Sequence, residues 1–297
     1  MNVSSNGLQF EVECSGPANG PVVLLTMGLG MQLVAWPDSL VQSLEKAGFR
    51  VVRYDNRDVG LSSHLDHLGQ PQMLWQFLKS RVGMALSAPY TLQDMAQDAI
   101  GILDALGIRR AHLIGVSMGG MISQRIAANA PGRVLSLTSI MSSSGAPGLP
   151  GPGSEVTRAM MQRPPSGVPQ DVVDHTLEVF KLIASPAYPQ DLPTYREHLM
   201  QGVMRSYNPA GVMRQMLAVV GDKGRHELLA RISCPTLVIH GTADPLVPIE
   251  GGRDTARRIS GARFEAIEGM GHDWPPGVAR RLAELSIPHL LSASASK

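Results

Sequence analysis

The feature that most limits what this chain can fold into is the junction at residue 117. Ala111-His112-Leu113-Ile114-Gly115-Val116-Ser117-Met118-Gly119-Gly120 begins as an apolar run and continues as a helical pattern through Met121, Ile122, Arg125, Ile126 and Ala127. A strand that turns sharply into a helix lifts the side chain at the turn clear of the backbone. Such a turn leaves little room beside it, and glycines stand two positions before and two after Ser117. Gly-x-Ser-x-Gly in this setting reads as a nucleophile elbow. A serine hydroxyl attacks poorly until a base takes its proton, so the base must reach an exposed Oγ. The helix that starts at the elbow points its amide dipoles at the reacting group.

The flanking stretches share this texture. Asn6-Gly7 predicts a hairpin over 3–13, with Leu8, Phe10 and Val12 alternating with polar residues. Val22-Val23-Leu24-Leu25 reads as a strand covered on both faces and ends in Met27-Gly28-Leu29-Gly30. A helix follows from Pro37-Asp38-Ser39 through Leu40, Val41 and Leu44 to Gly48. Val51-Val52-Arg53-Tyr54 is the next strand and opens into the loop Asp55–Ser62. Thr91-Leu92-Gln93-Asp94 resembles a capping box with Asp in the usual Glu/Gln place, and its helix stops at Gly107. Val134–Ile140 continues the alternation. The expectation is an α/β fold, a mostly parallel sheet with helices on both faces.

After residue 145 the texture changes. Pro147, Pro150, Pro152, Pro164, Pro165 and Pro169 mark 145–170 as an irregular crossover. Residues 171–230 read as helical and carry Met200, Met204, Met213 and Met216. Strand character returns at Thr236–His240 and Arg263–Ile267, and residues 278–292 read as the last helix. The predicted organisation is a core of 1–147 and 232–297, with 148–231 inserted as a helical cap. The methionines face either a substrate or each other. If each other, specificity falls to the rest of the cap or to loops such as 61–90.

Composition sets the wider limits. With 297 residues, 43% of them hydrophobic, the chain can bury a large core, and a net charge of +1 gives no reason to invoke nucleic acid or a charged membrane surface. No apolar run approaches the ~20 residues of a membrane span, and Met1–Asn6 has neither the basic nor the apolar region of a leader. Cys14 and Cys234 have no metal-ligand spacing and read as reduced structural thiols. A cytoplasmic protein is the expectation; its oligomeric state is not readable.

Behind a nucleophile elbow the partners follow in the order serine, acid, histidine, at strand ends that meet along one edge of the sheet. His240-Gly241-Thr242-Ala243-Asp244 and Gly269-Met270-Gly271-His272-Asp273 each follow a predicted strand at once. His272 is the candidate base and Asp244 the candidate acid, with Asp273 as a weaker rival. His240 reads as a loop-shaping residue, and His112 and His289 as structural. The oxyanion of a tetrahedral intermediate needs two amide donors. These are assigned to the N–H groups of Met118 and Leu29. Asp55, Arg57 and Asp58 read as a buried ion-pair network fixing a loop near the site.

These motifs together resemble the α/β-hydrolase family. Met27-Gly28-Leu29-Gly30 with Trp36-Pro37-Asp38, and Tyr54-Asp55-Asn56-Arg57-Asp58, are similar to the aclacinomycin methylesterase-like serine esterases within it. The family's usual His-Gly at the oxyanion turn is Met27-Gly28 in this chain. The resemblance covers 20–145 and 232–275 and does not extend to the cap. It implies hydrolysis of small carboxylic esters without metal or other cofactor. The competing expectations are a lactone or C–C bond hydrolase with the same triad, and a ligand receptor on the same scaffold.

Overall fold

The computed structural model describes residues 1–71 and 88–295, so most of the loop 61–90 lies outside the described residues. Eight strands form one sheet in the order β1-β2-β4-β3-β5-β6-β7-β8. They are β1 (Asn2–Ser5), β2 (Leu8–Ser15), β3 (Val22–Thr26), β4 (Arg50–Tyr54), β5 (Ala111–Val116), β6 (Val134–Ile140), β7 (Thr236–Gly241) and β8 (Arg263–Ile267). The hairpin β1–β2 and the pair β2–β4 are antiparallel, and all later pairs are parallel. Asn6 and Gly7 both adopt positive φ at the hairpin turn, as a two-residue turn of this hand requires.

Successive residues of a strand point to opposite faces, so a strand covered on both sides must be apolar throughout. Leu24 and Leu113 enter one core with the helices α2 (Leu92–Ala105) and α3 (Met118–Asn129). Val23, Leu25, Ile114 and Val116 enter the other with α1 (Asp38–Lys46) and α9 (Pro276–Ala295). The start of α2 carries a capping box: Thr91 Oγ1 accepts the Asp94 N–H at 3.2 Å, and the Asp94 carboxylate accepts the Thr91 N–H at 2.8 Å. Among the described residues no helix is long and apolar enough to cross a membrane, and no disulfide joins Cys14 to Cys234.

Between β6 and β7 lie α4 (Ser154–Met161), α5 (Pro169–Ile183), α6 (Leu192–Arg205), α7 (Pro209–Val220) and the short α8 (Arg225–Leu228). The expectation of an irregular stretch over 145–170 is corrected by α4. Residues 153–163 between Pro152 and Pro164 contain no proline, and that gap is long enough for two turns of helix.

These helices are tied to the loops after β3 and β4 by buried polar groups. Arg214 of α7 bonds both carboxylate oxygens of Asp58, at 2.7 and 2.8 Å, and neither side chain is exposed. Arg205 of α6 reaches Asp55 at 2.7 Å. Arg57 turns the other way and pairs with Asp98 of α2 at 2.6 Å. The acidic loop is thus a hub, but its members pair with partners outside it and not with one another. Removing one member of a buried pair leaves an uncompensated charge, which costs about 3–5 kcal/mol. Arg214→Leu should lower unfolding stability by that amount in a denaturant titration; a loss under about 1 kcal/mol would show that Asp58 finds another partner.

Candidate active site

Ser117 stands at the N-cap of α3 with φ 54° and ψ −119°, a conformation that non-glycine residues rarely adopt. Strain of this kind costs of order 1–3 kcal/mol and must be held by its surroundings. Here the Ser117 N–H donates to Ile140 O at 2.9 Å, and the Ser117 carbonyl accepts from Ser142 Oγ at 2.8 Å. The flanking glycines are sterically required. A Cβ on Gly115 would strike the Gly119 carbonyl, and one on Gly119 would strike the Thr26 carbonyl of β3.

Three strand ends meet at this point. His272, five residues beyond β8, places Nε2 3.1 Å from Ser117 Oγ and Nδ1 2.7 Å from Asp244 Oδ2. A carboxylate accepts only, so Nδ1 carries the hydrogen and Nε2 is left to accept the serine proton. Asp244 lies three residues beyond β7. Its Oδ1 accepts the N–H groups of Leu246 and Val247 at 2.9 and 2.8 Å. Burial pushes the Asp244 carboxyl up, but the facing His272, the nearby His240 and the Val247 N–H outweigh it. Together they hold it well below the usual carboxylate range. His240, at the end of β7, donates Nε2–H to Val247 O at 2.7 Å and lies 3.5 Å from Asp244. It shapes the acid's loop. In this order the imidazole can take the hydroxyl proton while the carboxylate orients the ring and stabilises its charge.

Asp273 faces elsewhere. Its Oδ1 accepts the N–H of Ser185 at 3.0 Å and the Ser185 hydroxyl, while Oδ2 is buried without a partner. Burial raises its pKa from 3.8 to about 6, against the lowering effect of Ser185 and His272. Ser185 Oγ also accepts the Gly271 N–H at 2.8 Å, and the His272 N–H donates to Ile183 O at 2.7 Å. The end of α5 therefore clamps the backbone of the loop that carries His272.

The loop after β3 lies on the other side of the serine. A Cβ on Gly28 would sit 3.3 Å from Ser117 Cβ and 3.9 Å from its Oγ, so the backbone itself faces the nucleophile. Asn56 donates to Met27 O at 3.1 Å, and the Leu33 N–H donates to Asp55 Oδ1 at 2.7 Å. The Gly30 N–H is already taken by Gln215 Oε1 at 2.8 Å. Leu29, the donor expected from the sequence, lies between Gly28 and Gly30 in this loop. Met118, the first residue of α3, stands beside the serine on the helix side.

His112 bonds Ser136 and Ser294 at 2.8 and 3.0 Å, and His289 bonds Leu137 O at 3.3 Å, both away from the serine. Met204 is 68% exposed and so lies outside the core, while Met200, Met213 and Met216 are half-buried. Sequence reasoning missed Ser185, Arg205, Arg214 and Gln215. All four lie in the helical stretch where no motif marks them; a polar residue on the apolar face of α7 was the one available signal.

The family model for the α/β-hydrolase fold matches residues 21–274. The rhodomycin D methylesterase DauP of Streptomyces sp. (strain C5) is 32% identical, over 94% of this chain and 93% of its own. The 3-oxoadipate enol-lactonase 1 of Acinetobacter baylyi is 26% identical, over 90% and 88%. Among solved structures, the enol-lactonase from Burkholderia xenovorans LB400 superposes with a TM-score of 0.74 over 98% of this chain and 100% of that one, at 22% identity. That last likeness concerns the fold.

Two measurements follow from the carboxylates. Asp244→Asn should cut kcat by roughly 10⁴, because the amide favours the wrong imidazole tautomer, whereas Asp273→Asn should cost far less; the reverse order would exchange their roles. Asp273 also predicts a pH effect on stability. Its folded pKa lies above its unfolded value, so between about pH 4 and 6 the folded state binds more protons and stability falls as pH rises. The stability of Asp273→Asn should gain on the wild type across that window; parallel curves would mean Asp273 titrates normally.

Proposed function

The chain belongs to the α/β-hydrolase family and is a carboxylic ester hydrolase, and on that premise we propose that it works as a serine esterase through Ser117, His272 and Asp244. The observation that carries the reading is the unbroken contact from Ser117 Oγ through His272 to Asp244. In the first step His272 Nε2 takes the Ser117 proton while Oγ attacks the ester carbonyl carbon. The charge that builds on the carbonyl oxygen is met by the N–H groups of Leu29 and Met118, helped by the positive end of α3. Collapse of this intermediate expels the alkoxide, which takes the proton from His272 and leaves as the alcohol. An acyl group stays on Ser117. Water then enters, gives its proton to His272 and attacks the acyl carbon; collapse breaks the bond to Ser117 Oγ, which takes that proton back from His272 as the acid leaves. Asp244 holds the Nδ1–H tautomer throughout and stabilises each imidazolium.

The 32% identity to a methylesterase supports a methyl ester as the bond cleaved. The helical segment 148–231 is read as the cap over this edge of the sheet, because Ser185, Arg205, Arg214 and Gln215 all bond to loops beside Ser117. A lactone is a cyclic ester that the same steps would open, and the likeness to an enol-lactonase supports testing one. Ser117→Ala should abolish turnover of a chromogenic ester, with a loss in kcat of order 10⁶, while the fold persists. An organophosphonate should label Ser117 alone. Turnover surviving in the alanine variant would end the serine reading, and a kcat/KM for lactones above that for methyl esters would reassign the substrate.

A further inference from the structure

Gln215 lies on α7, far from every motif the sequence shows, and is fully buried. Its two polar atoms are both used. Oε1 accepts the Gly30 N–H at 2.8 Å, and Nε2 donates to the Arg57 carbonyl at 2.8 Å. The first bond goes to the loop after β3 and the second to the loop after β4. The orientation of the amide follows from its partners, since an N–H needs an acceptor and a carbonyl needs a donor. A primary amide supplies both from one side-chain end; an ionised Glu cannot donate, and a Leu can do neither.

Gly30 is also confined sterically. Its φ is +68°, and a Cβ there would lie 3.0 Å from Val212, one turn before Gln215 on α7. The peptide before it is that of Leu29, and the residue before that is Gly28, whose backbone lies against Ser117. Two adjacent glycine-flanked peptides rotate easily unless something holds them. Among the described residues the Gly30 N–H is held by Gln215 and the Met27 carbonyl by Asn56, while the Gly28 carbonyl accepts the Met31 N–H at a longer 3.3 Å.

We infer that Gln215 is a positioning residue for the oxyanion donor: by fixing the Gly30 N–H it keeps the Leu29 N–H aimed at the carbonyl oxygen above Ser117. The inference rests on the serine-esterase reading. Its energetic basis is preorganisation, because a donor held in place costs no reorganisation when charge develops on the oxygen. A loosened donor weakens binding of the tetrahedral state more than binding of the ester itself.

The test compares Gln215→Leu with the wild type on a methyl ester and with a simple alkylboronic acid, which forms a tetrahedral adduct with the serine. The expected result is a fall in kcat of about 10- to 100-fold, smaller than the roughly 10²–10³ lost with a whole donor, at nearly unchanged KM. Boronate affinity should fall by a similar factor. Asn208→Ala serves as the control for α7. It removes the cap of the same helix, with bonds to Gly211 and Asp58, and does not touch Gly30. It should lower stability and leave boronate affinity within about twofold. Unchanged kcat and boronate affinity in Gln215→Leu, or an equal loss in Asn208→Ala, overturns the inference. Should Gln215→Leu fail to fold, amide exchange in the unmodified chain decides: a Gly30 N–H bonded to Gln215 exchanges slowly, and a freely exchanging one overturns the assignment. Ester turnover surviving in Ser117→Ala would instead remove the reading beneath it, so the two failures are distinguishable.

Discussion

A buried carboxylate must be satisfied or it will take up a proton, and the surroundings of Asp244 are arranged around that requirement. Two backbone N–H groups and His272 supply it with hydrogen bonds, and His240 lies 3.5 Å away. The bond to His272 places the imidazole, and the imidazole is then 3.1 Å from Ser117 Oγ. None of this would meet without the parallel sheet, which brings the carboxyl ends of β5, β7 and β8 to one edge. The strained backbone at Ser117 completes the set, since a relaxed φ would turn Oγ away from the edge.

The helical stretch between β6 and β7 is joined to this edge by buried polar contacts. Arg214 on Asp58, Arg205 on Asp55, Gln215 on Gly30 and Ser185 on Asp273 each join a helix to a loop beside the serine. Buried pairs of this kind add little net stability, because desolvation offsets most of the attraction. They do specify geometry, since each bond has one length and one direction. A purely apolar contact would tolerate sliding, and the loops after β3, β4 and β8 would then be free to rotate. The same logic separates the two adjacent carboxyls at the histidine loop. Asp244 stays ionised among donors, whereas Asp273, with one buried oxygen unpartnered, is pushed up to about 6.

Much of the fold was legible because it rests on local rules. Apolar runs of five or six residues with helices between them can only be strands of a covered parallel sheet. The turn at Asn6-Gly7 and the capping box at Thr91 announce their own geometry. The crossover 145–170 was misread because its prolines dominate the composition, while α4 occupies the proline-free gap between them. The methionines were misleading for a similar reason. Their type says that they adapt to irregular surroundings, but only packing decides that Met204 lies in solvent.

What the sequence by itself determined is which candidate residues stand at a turn next to them in the chain. Ser117 between its glycines, Asp244 after β7 and His272 after β8 are of this kind, because a strand end and its loop are local objects. The tertiary structure alone decided how these loops are held. Gln215 bonds to residues 30 and 57, Arg214 to residue 58, and Ser185 to residues 271 and 273. Such pairings join parts of the chain far apart in sequence. They depend on where a helix comes to rest on the sheet, and hydrophobic periodicity shows which face of a helix is buried but not what lies opposite it.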